Sequence, residues 1–398
     1  MILDKLFQLM AEKHASDIFI SAGVPIHIKI QGNSYPVNQQ VMDPAMIEKI
    51  ALELLSQDQQ RTFEATMEMN LSFGVPGIGN FRVNLFRQRA SISIVVRYIL
   101  GNIPALDTLS LPPVLSELIM EKRGLILIVG ATGSGKSTTI ASMLDYRNAN
   151  RSGHILTIED PIEFLFKHKK SIVNQRELGM DTLGWEPALK NAMRQAPDCI
   201  LIGEIRDKET MQAAIAYAQT GHLCLATLHA NNSYHALNRV INFFPLDTRT
   251  SLYLDLSASL KAIVSQRLVK RPDGKRTPAA EVMLNTRHVQ ELIERGEVLA
   301  VKEAMEQSLA PGSQTFEQDL FRLYREGVIT LDEALANADS PTNLSWLINN
   351  SEISSSSQSE TLRVETPLDF SETDENGTSF KEFTLSLDDA PHDGKHEQ

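Results

Sequence analysis

The feature that most constrains this chain is the segment from Gly130 to Ser137, which reads Gly-Ala-Thr-Gly-Ser-Gly-Lys-Ser. It matches a phosphate-binding loop in full, with two glycines, a lysine and a hydroxyl at the required spacing. The aliphatic run from Leu125 to Val129 precedes it and predicts a strand buried on both faces of a parallel sheet. The residues from Thr138 to Leu144 contain neither proline nor glycine, which predicts a helix. A strand, a loop and a helix in this order indicate a nucleotide-binding α/β domain.

The residue types of this loop suit phosphate oxygens. Glycine lets the backbone curl tightly enough for its N–H groups to point at a phosphate, where a helix N-terminus adds partial positive charge. Lys136 is expected to reach the β and γ phosphates, and Ser137 to hold Mg²⁺.

Length and charge limit the classes of function. The chain has 398 residues and a formal net charge of −12, which argues against a broad nucleic-acid footprint because that requires clustered Lys and Arg. From Ser340 onward there are 12 acidic residues against Arg363, Lys381 and Lys395, so this segment holds −9 of the −12. The rest of the chain is close to neutral.

The two cysteines, Cys199 and Cys224, lie inside apolar runs and are expected to be core residues in a reducing compartment. Two cysteines also exclude a four-cysteine zinc module. No run of eighteen apolar residues occurs, and the first residues lack a signal-peptide layout. These patterns predict a cytoplasmic protein.

The first hundred residues predict a small α+β domain. Apolar residues at helical spacing from Leu3 to Met10 predict an opening helix, and a second helix is expected from Pro44. Alternating patterns predict strands at residues 26–30, 81–87 and 91–97, with a turn-rich connection from Gly74 to Gly79. We place this domain at residues 1–105.

The segment from Leu109 to Pro113 marks the boundary with the second domain, which we place at residues 106–340. Further aliphatic runs at residues 154–158, 199–202 and 223–227 predict three more parallel strands. The part from His235 to about Ala338 is predicted to be mainly helical, with Leu256, Leu260 and Ile263 on one face.

Residues 341–398 are predicted to be a disordered acidic tail, because serine and acidic residues dominate and large hydrophobic residues become rare. Four apolar residues between Phe380 and Leu387 interrupt this pattern. They are either isolated side chains in a solvated tail or a short segment that becomes ordered on a partner.

Candidate catalytic residues follow the predicted strands, since ligands of a parallel sheet lie at the carboxyl ends of its strands. Glu159, Asp160 and Glu163 follow the second strand and compete for one role, either in the water shell of Mg²⁺ or as the base that activates water. Glu204 follows the third strand, as expected for an acid that acts through Mg²⁺. His229 follows the fourth strand and could sense the γ-phosphate.

Other residues have weaker cases. His222 precedes the fourth strand, so it should lie toward the opposite edge of the sheet from a ligand of His229. Four arginines are candidates for stabilising charge on the γ-phosphate, although each could equally be a salt-bridged surface residue: Arg82, Arg97, Arg194 and Arg239.

Taken together, four motifs in this order resemble the Walker A, Asp-box, Walker B and His-box motifs of type IV pilus and type II secretion ATPases. They read Gly-Ala-Thr-Gly-Ser-Gly-Lys-Ser-Thr-Thr, Thr-Ile-Glu-Asp-Pro-Ile-Glu-Phe, Ile-Leu-Ile-Gly-Glu-Ile-Arg-Asp and Thr-Gly-His-Leu-Cys-Leu-Ala-Thr-Leu-His. The resemblance covers about residues 1–340 and is greatest to the retraction branch, the PilT/PilU family, and within it to the PilU type.

The resemblance implies a PAS-like N-terminal domain, a RecA-like P-loop ATPase domain, and a homohexamer that hydrolyses ATP with Mg²⁺. It implies that Glu163 activates water, that Glu204 acts through Mg²⁺, and that His229 contacts the terminal phosphate. Arg82 and Arg97 would be brought to that phosphate by the N-terminal domain. The implied nucleotide-binding residues are Gly130, Thr132, Gly133, Ser134, Gly135, Lys136, Ser137 and Thr138.

The resemblance further implies a motor for pilus retraction at the cytoplasmic face of the inner membrane. Its partners would be a PilT-type paralogue and the inner-membrane pilus platform protein, without nucleic acid, and it would reach the membrane only through partners. Lys190, where the PilT branch commonly has arginine, and the divergent region from Asn285 to Gly296 favour the accessory PilU type.

Three alternatives stay open at the level of sequence. One is a pilus assembly or type II secretion ATPase, although those usually carry the four-cysteine module. Another is a nucleic-acid motor with a RecA-like fold. The third is an adaptor that binds ATP without turnover.

Overall fold

The computed structural model of the chain describes residues 2–99 and 101–357. Two β-sheets that share no strand organise these residues, one formed by residues 17–99 and the other by residues 124–284. The second sheet carries the phosphate-binding loop. The α/β class predicted from the sequence is therefore confirmed.

The first sheet contains six strands, and all neighbouring strands run antiparallel, in the order β3-β2-β1-β6-β5-β4. Its elements are α1 (Ile2–Glu12), β1 (Asp17–Ile20), β2 (Pro25–Ile30), β3 (Asn33–Val41), α2 (Pro44–Leu54), α3 (Gln57–Thr66), β4 (Glu68–Val75), β5 (Gly79–Gln88) and β6 (Ser91–Ile99). Their core includes Phe7 of α1, Ile47 of α2 and Phe81 of β5, and the rings of Phe7 and Phe81 stack at 4.4 Å. The opening helix, the second helix and the three strands predicted here are confirmed.

Gly74 and Gly79 are not both part of a connection, as predicted, because Gly74 belongs to β4 and Gly79 begins β5. Two glycines suggested a loop, but Gly74 pairs with Asn80 and Gly79 pairs with Val75 at the end of a hairpin, where strands tolerate glycine. The sequence analysis also missed β1, β3, α3 and β4.

The second sheet has the order β13-β12-β7-β11-β10-β8-β9, and only β12 and β13 pair antiparallel. Its strands are β7 (Gly124–Val129), β8 (Gly153–Glu159), β9 (Ser171–Glu177), β10 (Cys199–Ile202), β11 (Leu223–Leu228), β12 (Leu260–Lys270) and β13 (Arg276–Leu284). The accompanying helices are α4 (Val114–Leu118), α5 (Lys136–Asn150), α6 (Trp185–Ala192), α7 (Lys208–Gln219), α8 (Ser233–Asn242), α9 (Arg249–Ser259), α10 (Arg287–Glu294), α11 (Val301–Glu306), α12 (Phe316–Arg325), α13 (Leu331–Asn337) and α14 (Pro341–Ser357). The four predicted parallel strands are confirmed as β7, β8, β10 and β11.

Successive residues of β7 explain why that strand is aliphatic throughout. Leu125, Leu127 and Val129 pack in the core on one face of the sheet, and Ile126 and Ile128 pack in a separate core on the other face. Every residue of β7 is buried. Helices cover both faces, so neither face requires polar residues.

The prediction that residues 235–338 are mainly helical is wrong for β12 and β13. Leu256 belongs to α9, whereas Leu260 and Ile263 belong to β12. The helical spacing of these three residues therefore spans the junction between a helix and a strand. The aliphatic run of β12 is interrupted by Ser265 and Gln266, which are both buried and hydrogen-bonded. These polar residues break the apolar pattern that would have predicted an interior strand.

Cys199 and Cys224 are buried on β10 and β11, as predicted for core residues. Burial raises the pKa of the Cys199 thiol to about 11 and raises that of Cys224 as well. Both thiols are therefore protonated at neutral pH and poor nucleophiles.

The segment predicted to be a disordered tail begins as a helix, α14 (Pro341–Ser357). Leu344 and Ile348 are buried in a separate core with Phe316, Leu320 and Leu323 of α12. The prediction of disorder is wrong for this first part, because two apolar residues four apart suffice to dock one face of a helix. Residues 358–398, including the apolar positions 380–387, lie outside the described residues.

Candidate functional site

A cavity of about 240 Å³ lies at the carboxyl ends of β7, β8, β10 and β11. This is the edge where a doubly wound parallel sheet binds its ligands. Among the residues that line it are Thr132, Gly133, Lys136, Ser137, Glu159, Asp160, Glu163, Phe164, Gly203, Glu204, Thr227 and His229. The structure thus brings Lys136, Ser137, Glu163, Glu204 and His229 to one site. Gly130, Ser134, Gly135 and Thr138 do not line the cavity.

The glycines of the loop are required by backbone conformation and by space. Gly135, which caps α5, has φ +91°, a conformation that side chains rarely adopt. A Cβ on Gly130 would lie 2.5 Å from the carbonyl oxygen of Gln266. No side chain among the described residues caps the start of α5. The N–H groups of the first turn of α5 are therefore open to an anion.

Lys136 points back over the loop. Its ammonium donates hydrogen bonds to the carbonyl oxygens of Gly130, at 2.7 Å, and Ala131, at 2.9 Å. Burial lowers the pKa of Lys136, and the nearby carboxylates of Glu204 and Glu163 oppose that shift. A negatively charged ligand at the loop would therefore stabilise the protonated form of Lys136.

Gln266 supports the loop from β12, and the sequence analysis did not identify it. Its side-chain amide donates to the carbonyl oxygen of Ser134 at 2.9 Å, and its side-chain oxygen accepts from the hydroxyl of Thr139 at 2.7 Å. The residue is 3% exposed. Gln266 therefore joins the loop and the first turn of α5 to a neighbouring strand. The only signal for it would have been a polar residue inside a correctly predicted β12.

The three acids at the carboxyl end of β8 have different surroundings. Glu163 accepts a hydrogen bond from the Ser137 hydroxyl at 2.8 Å and is exposed to the cavity. Glu159 accepts from Thr157 at 2.6 Å and from Gln175 at 3.3 Å. Burial raises the pKa of Glu159 to about 7, so this acid is partly protonated at neutral pH.

The third acid, Asp160, forms an ion pair with Arg206 at 3.3 Å. Only Glu163 combines an open position with direct contact to the residue expected to hold Mg²⁺. Of the three acids, Glu163 is therefore the one whose side chain directly contacts the phosphate-binding loop.

Glu204 lies between a histidine and an arginine. One carboxylate oxygen is 3.3 Å from Nε2 of His229, and the other accepts from Nε of Arg206 at 2.7 Å. The hydrogen bond to Glu204 is the largest cause that raises the pKa of Arg206. Arg206 bridges Glu204 and Asp160, a role that the sequence analysis missed although it quoted the residue within the motif.

The structure does not bring Arg82 and Arg97 to the cavity. They are cross-strand neighbours on β5 and β6. Arg97 pairs with Asp17 at 2.8 Å, and Arg82 lies 3.0 Å from the carboxylate of Glu177 at the end of β9. A contact of either arginine with a bound phosphate stays a prediction that requires the first sheet to move or a second subunit.

The remaining candidates are dispersed. His222 precedes β11 and contacts the carbonyl oxygen of Tyr217 at 3.2 Å, so it lies at the opposite end of the strand from His229, as predicted. Arg194 lies 3.5 Å from Asn191 before β10, and Lys190 is exposed on α6. Arg239 donates to the carbonyl oxygen of His229 at 3.0 Å.

The oxygen atoms at the site suit Mg²⁺ better than they suit a metal held by protein alone. Mg²⁺ is usually held by one or two protein oxygens together with water and substrate phosphates. Ser137 and the nearby carboxylates supply such oxygens. Residues 2–99 and 101–357 contain no cluster of three or more His, Cys, Asp or Glu side chains placed to hold a metal ion.

In the same part of the chain, no helix combines the length and the apolar character needed to cross a membrane.

Comparison with known proteins shows what this chain is similar to. The family model described as "Type II/IV secretion system protein" matches residues 1–336. The type IV pilus ATPase PilU of Pseudomonas aeruginosa is 47% identical over 382 residues, which cover 96% of this chain and 100% of PilU. The type IV pilus retraction ATPase PilT of the same organism is 38% identical and covers 86% of this chain and 100% of PilT.

A solved structure is also similar. The crystal structure of the pilus retraction motor PilT with bound ADP has a TM-score of 0.80 and 40% sequence identity, and the match covers 85% of this chain and 97% of that one. The predicted fold class is thereby confirmed, with a PAS-like domain ahead of a RecA-like P-loop ATPase domain.

Proposed function

This chain belongs to the Type II/IV secretion system protein family, and we propose that it is the accessory, PilU-type ATPase motor of type IV pilus retraction. The observation that carries the proposal is the convergence of five side chains on one cavity at the carboxyl ends of four parallel strands. They are Lys136, Ser137, Glu163, Glu204 and His229. Each comes from a different one of the four motifs, except that Lys136 and Ser137 share the first.

ATP is the proposed substrate, with its triphosphate along the first turn of α5. Lys136 would exchange its contacts with the carbonyl oxygens of Gly130 and Ala131 for contacts with the β and γ phosphates. Ser137 and, through water, Glu204 would hold Mg²⁺, which withdraws charge from the phosphate oxygens when bound.

Hydrolysis would begin when Glu163 accepts a proton from water. The water oxygen then bonds to the γ phosphorus, the bond from that phosphorus to the bridging oxygen breaks, and ADP and phosphate result. Its hydrogen bond from the Ser137 hydroxyl supports Glu163 in this role over Glu159, whose carboxylate accepts from Thr157 and Gln175 instead. His229, whose Nε2 lies 3.3 Å from Oε1 of Glu204, would contact the γ-phosphate when that group is present.

We propose that residues 1–105 and 106–340 are the moving domains of a homohexamer, with α14 packed against α12 of the second domain. Arg82 and Arg97 would reach the γ-phosphate when hydrolysis and nucleotide exchange move the first domain. The proposed place of action is the cytoplasmic face of the inner membrane, with a PilT-type paralogue and the pilus platform protein as partners.

Three features oppose the first two alternatives. The chain aligns along the whole of PilU and PilT and has two cysteines, too few for the zinc module of assembly and secretion ATPases. The segment outside the acidic C-terminus is close to neutral, which disfavours a nucleic-acid motor.

The test has two parts. Purified protein with Mg²⁺ and ATP should release phosphate, either alone or on addition of its PilT-type paralogue, and Lys136→Ala should abolish that release. Absence of turnover in both conditions would support the adaptor alternative. Cells that lack this protein, its paralogue or both should show graded loss of pilus retraction, and normal retraction against load without this protein would contradict the pilus role.

A further inference from the structure

The turn that carries His229 is held by residues outside the four motifs. This turn, residues 229–232, joins β11 to α8. Nη2 of Arg267, on β12, donates to the carbonyl oxygen of Asn231 at 3.2 Å. The side-chain amide of Asn232 donates to Asp339 at 2.6 Å, and the N–H of Ser233 donates to Glu281 at 2.7 Å. Three separate segments therefore contact Asn231, Asn232 and Ser233. Arg239 of α8 donates in addition to the carbonyl oxygen of His229 at 3.0 Å.

Arg267 and Asp339 also hold each other. Their side chains form an ion pair in which 22% of the arginine side chain and 17% of the aspartate side chain are exposed. Arg267 donates in addition to the carbonyl oxygen of Asn337, and its guanidinium lies 4.0 Å from the ring centroid of Phe316. The pair thus connects the turn to α12 and to the segment between α13 and α14.

Asn232 links this pair to the start of α8. Its side-chain oxygen accepts from the N–H of His235 at 2.9 Å and so caps α8, while its amide is held by Asp339. With the carboxylate in place, the amide orientation that caps α8 is the one that also satisfies Asp339. Loss of Asp339 would remove the acceptor of the Asn232 amide and the carboxylate partner of Arg267, so two of the contacts that hold Asn231 and Asn232 would weaken.

We propose that Arg267 and Asp339 are positioning residues, which fix the turn and thereby place the imidazole of His229 against Glu204 and the terminal phosphate. The proposal rests on the role given to His229 in the proposed function. Displacement of a group at a reaction centre by about 1 Å can reduce the rate by as much as 10²-fold. Arg267 and Asp339, which supply no group to the reaction itself, would therefore affect its rate.

The experiment uses the full chain and a double-mutant cycle. Asp339→Ala should lower kcat for ATP by about tenfold and leave KM within about twofold, because the phosphate loop is untouched. Asp339→Asn should restore most of the rate, since its side-chain oxygen can still accept from Asn232. In a His229→Ala background, Asp339→Ala should have no further effect on kcat.

Arg322→Ala is the matched control. It breaks an ion pair of 2.8 Å between Arg322 and the buried residue Asp319. This pair lies within the same group of helices but away from the turn. The variant should lower the melting temperature at least as much as Asp339→Ala does and leave kcat unchanged. An equal fall of kcat in Arg322→Ala would assign the effect to general stability and overturn the proposal.

Two other outcomes would also overturn it. If Asp339→Ala still lowers kcat tenfold without His229, the pair acts elsewhere, and the proposed ATPase function is unaffected. If His229→Ala has wild-type kcat, the role of His229 in the proposed function fails together with the positioning proposal, whereas turnover itself remains established.

Discussion

Replacement of Glu163 by glutamine should separate nucleotide binding from hydrolysis. The hydroxyl of Ser137 donates to Oε1 of Glu163 at 2.8 Å, and the amide oxygen of glutamine can accept the same hydrogen bond. The shape of the cavity and the loop should therefore persist. What is lost is the carboxylate that accepts a proton from water.

The size of the effect follows from the role. A positioned general base contributes about 10²- to 10⁴-fold to the rate, which corresponds to about 3 to 5 kcal/mol of barrier at about 1.4 kcal/mol per tenfold change. Because Glu163 is exposed, the free energy of unfolding should change by less than about 1 kcal/mol. Turnover should thus fall by at least about 10²-fold while affinity for a non-hydrolysable ATP analogue stays within about threefold.

Two variants make the assay decisive. Glu159→Gln removes the competing acid, whose carboxylate is engaged by Thr157 and Gln175 rather than by Ser137, so it should reduce phosphate release much less than Glu163→Gln does. Glu186→Gln, at an exposed position in the first turn of α6, should leave release unchanged. Normal turnover in Glu163→Gln, or a larger loss in Glu159→Gln, would refute the assignment of the base.

Three further predictions concern the support of the site and the C-terminal segment. Gln266→Ala should lower the free energy of unfolding by about 2 to 4 kcal/mol and weaken nucleotide binding, because two buried partners in the loop and α5 lose their hydrogen bonds; unchanged denaturant midpoint and affinity would contradict this. The raised pKa of Glu159 means that the folded chain binds a proton more tightly than the unfolded chain, so stability should fall as the pH rises from 4.5 through about 7, by at most about 3 kcal/mol. Glu159→Gln should flatten that slope in denaturant titrations at several pH values, and an identical slope would argue against it. A chain that ends after residue 357 should keep its melting temperature, whereas one that ends after residue 340 loses the buried Leu344 and Ile348 and should be destabilised by about 3 to 6 kcal/mol; equal melting temperatures would show that α14 contributes nothing.

The sequence predicted those parts of the molecule whose physical cause is local. The strand β7 is aliphatic because helices cover both its faces, and Gly135 is required by the backbone at the start of α5, so both leave a pattern that can be read in a few residues. The acids and the histidine at the ends of β8, β10 and β11 could be placed together because parallel strands share one carboxyl edge.

What escaped prediction depends on contacts between distant segments. Ser265 and Gln266 make β12 look unlike a central strand, because their polarity serves Glu281 and the phosphate loop rather than solvent. The contacts that hold the turn at residues 229–232 could not be predicted for the same reason, since Asp339 lies more than a hundred positions after Asn232. Arg82 was assigned to the phosphate by resemblance, but the sequence held no sign that Glu177 would engage it.

The central claim is that a nucleotide triphosphate binds between the loop at Gly130–Ser137 and the acids at the ends of the neighbouring strands. Isothermal titration of the purified full chain with a non-hydrolysable ATP analogue and Mg²⁺ tests it most directly. The wild-type protein should release or absorb heat with a saturable isotherm, and Lys136→Ala should show none while remaining folded by circular dichroism. A flat isotherm for the wild type, or an unchanged one for Lys136→Ala, would contradict the account.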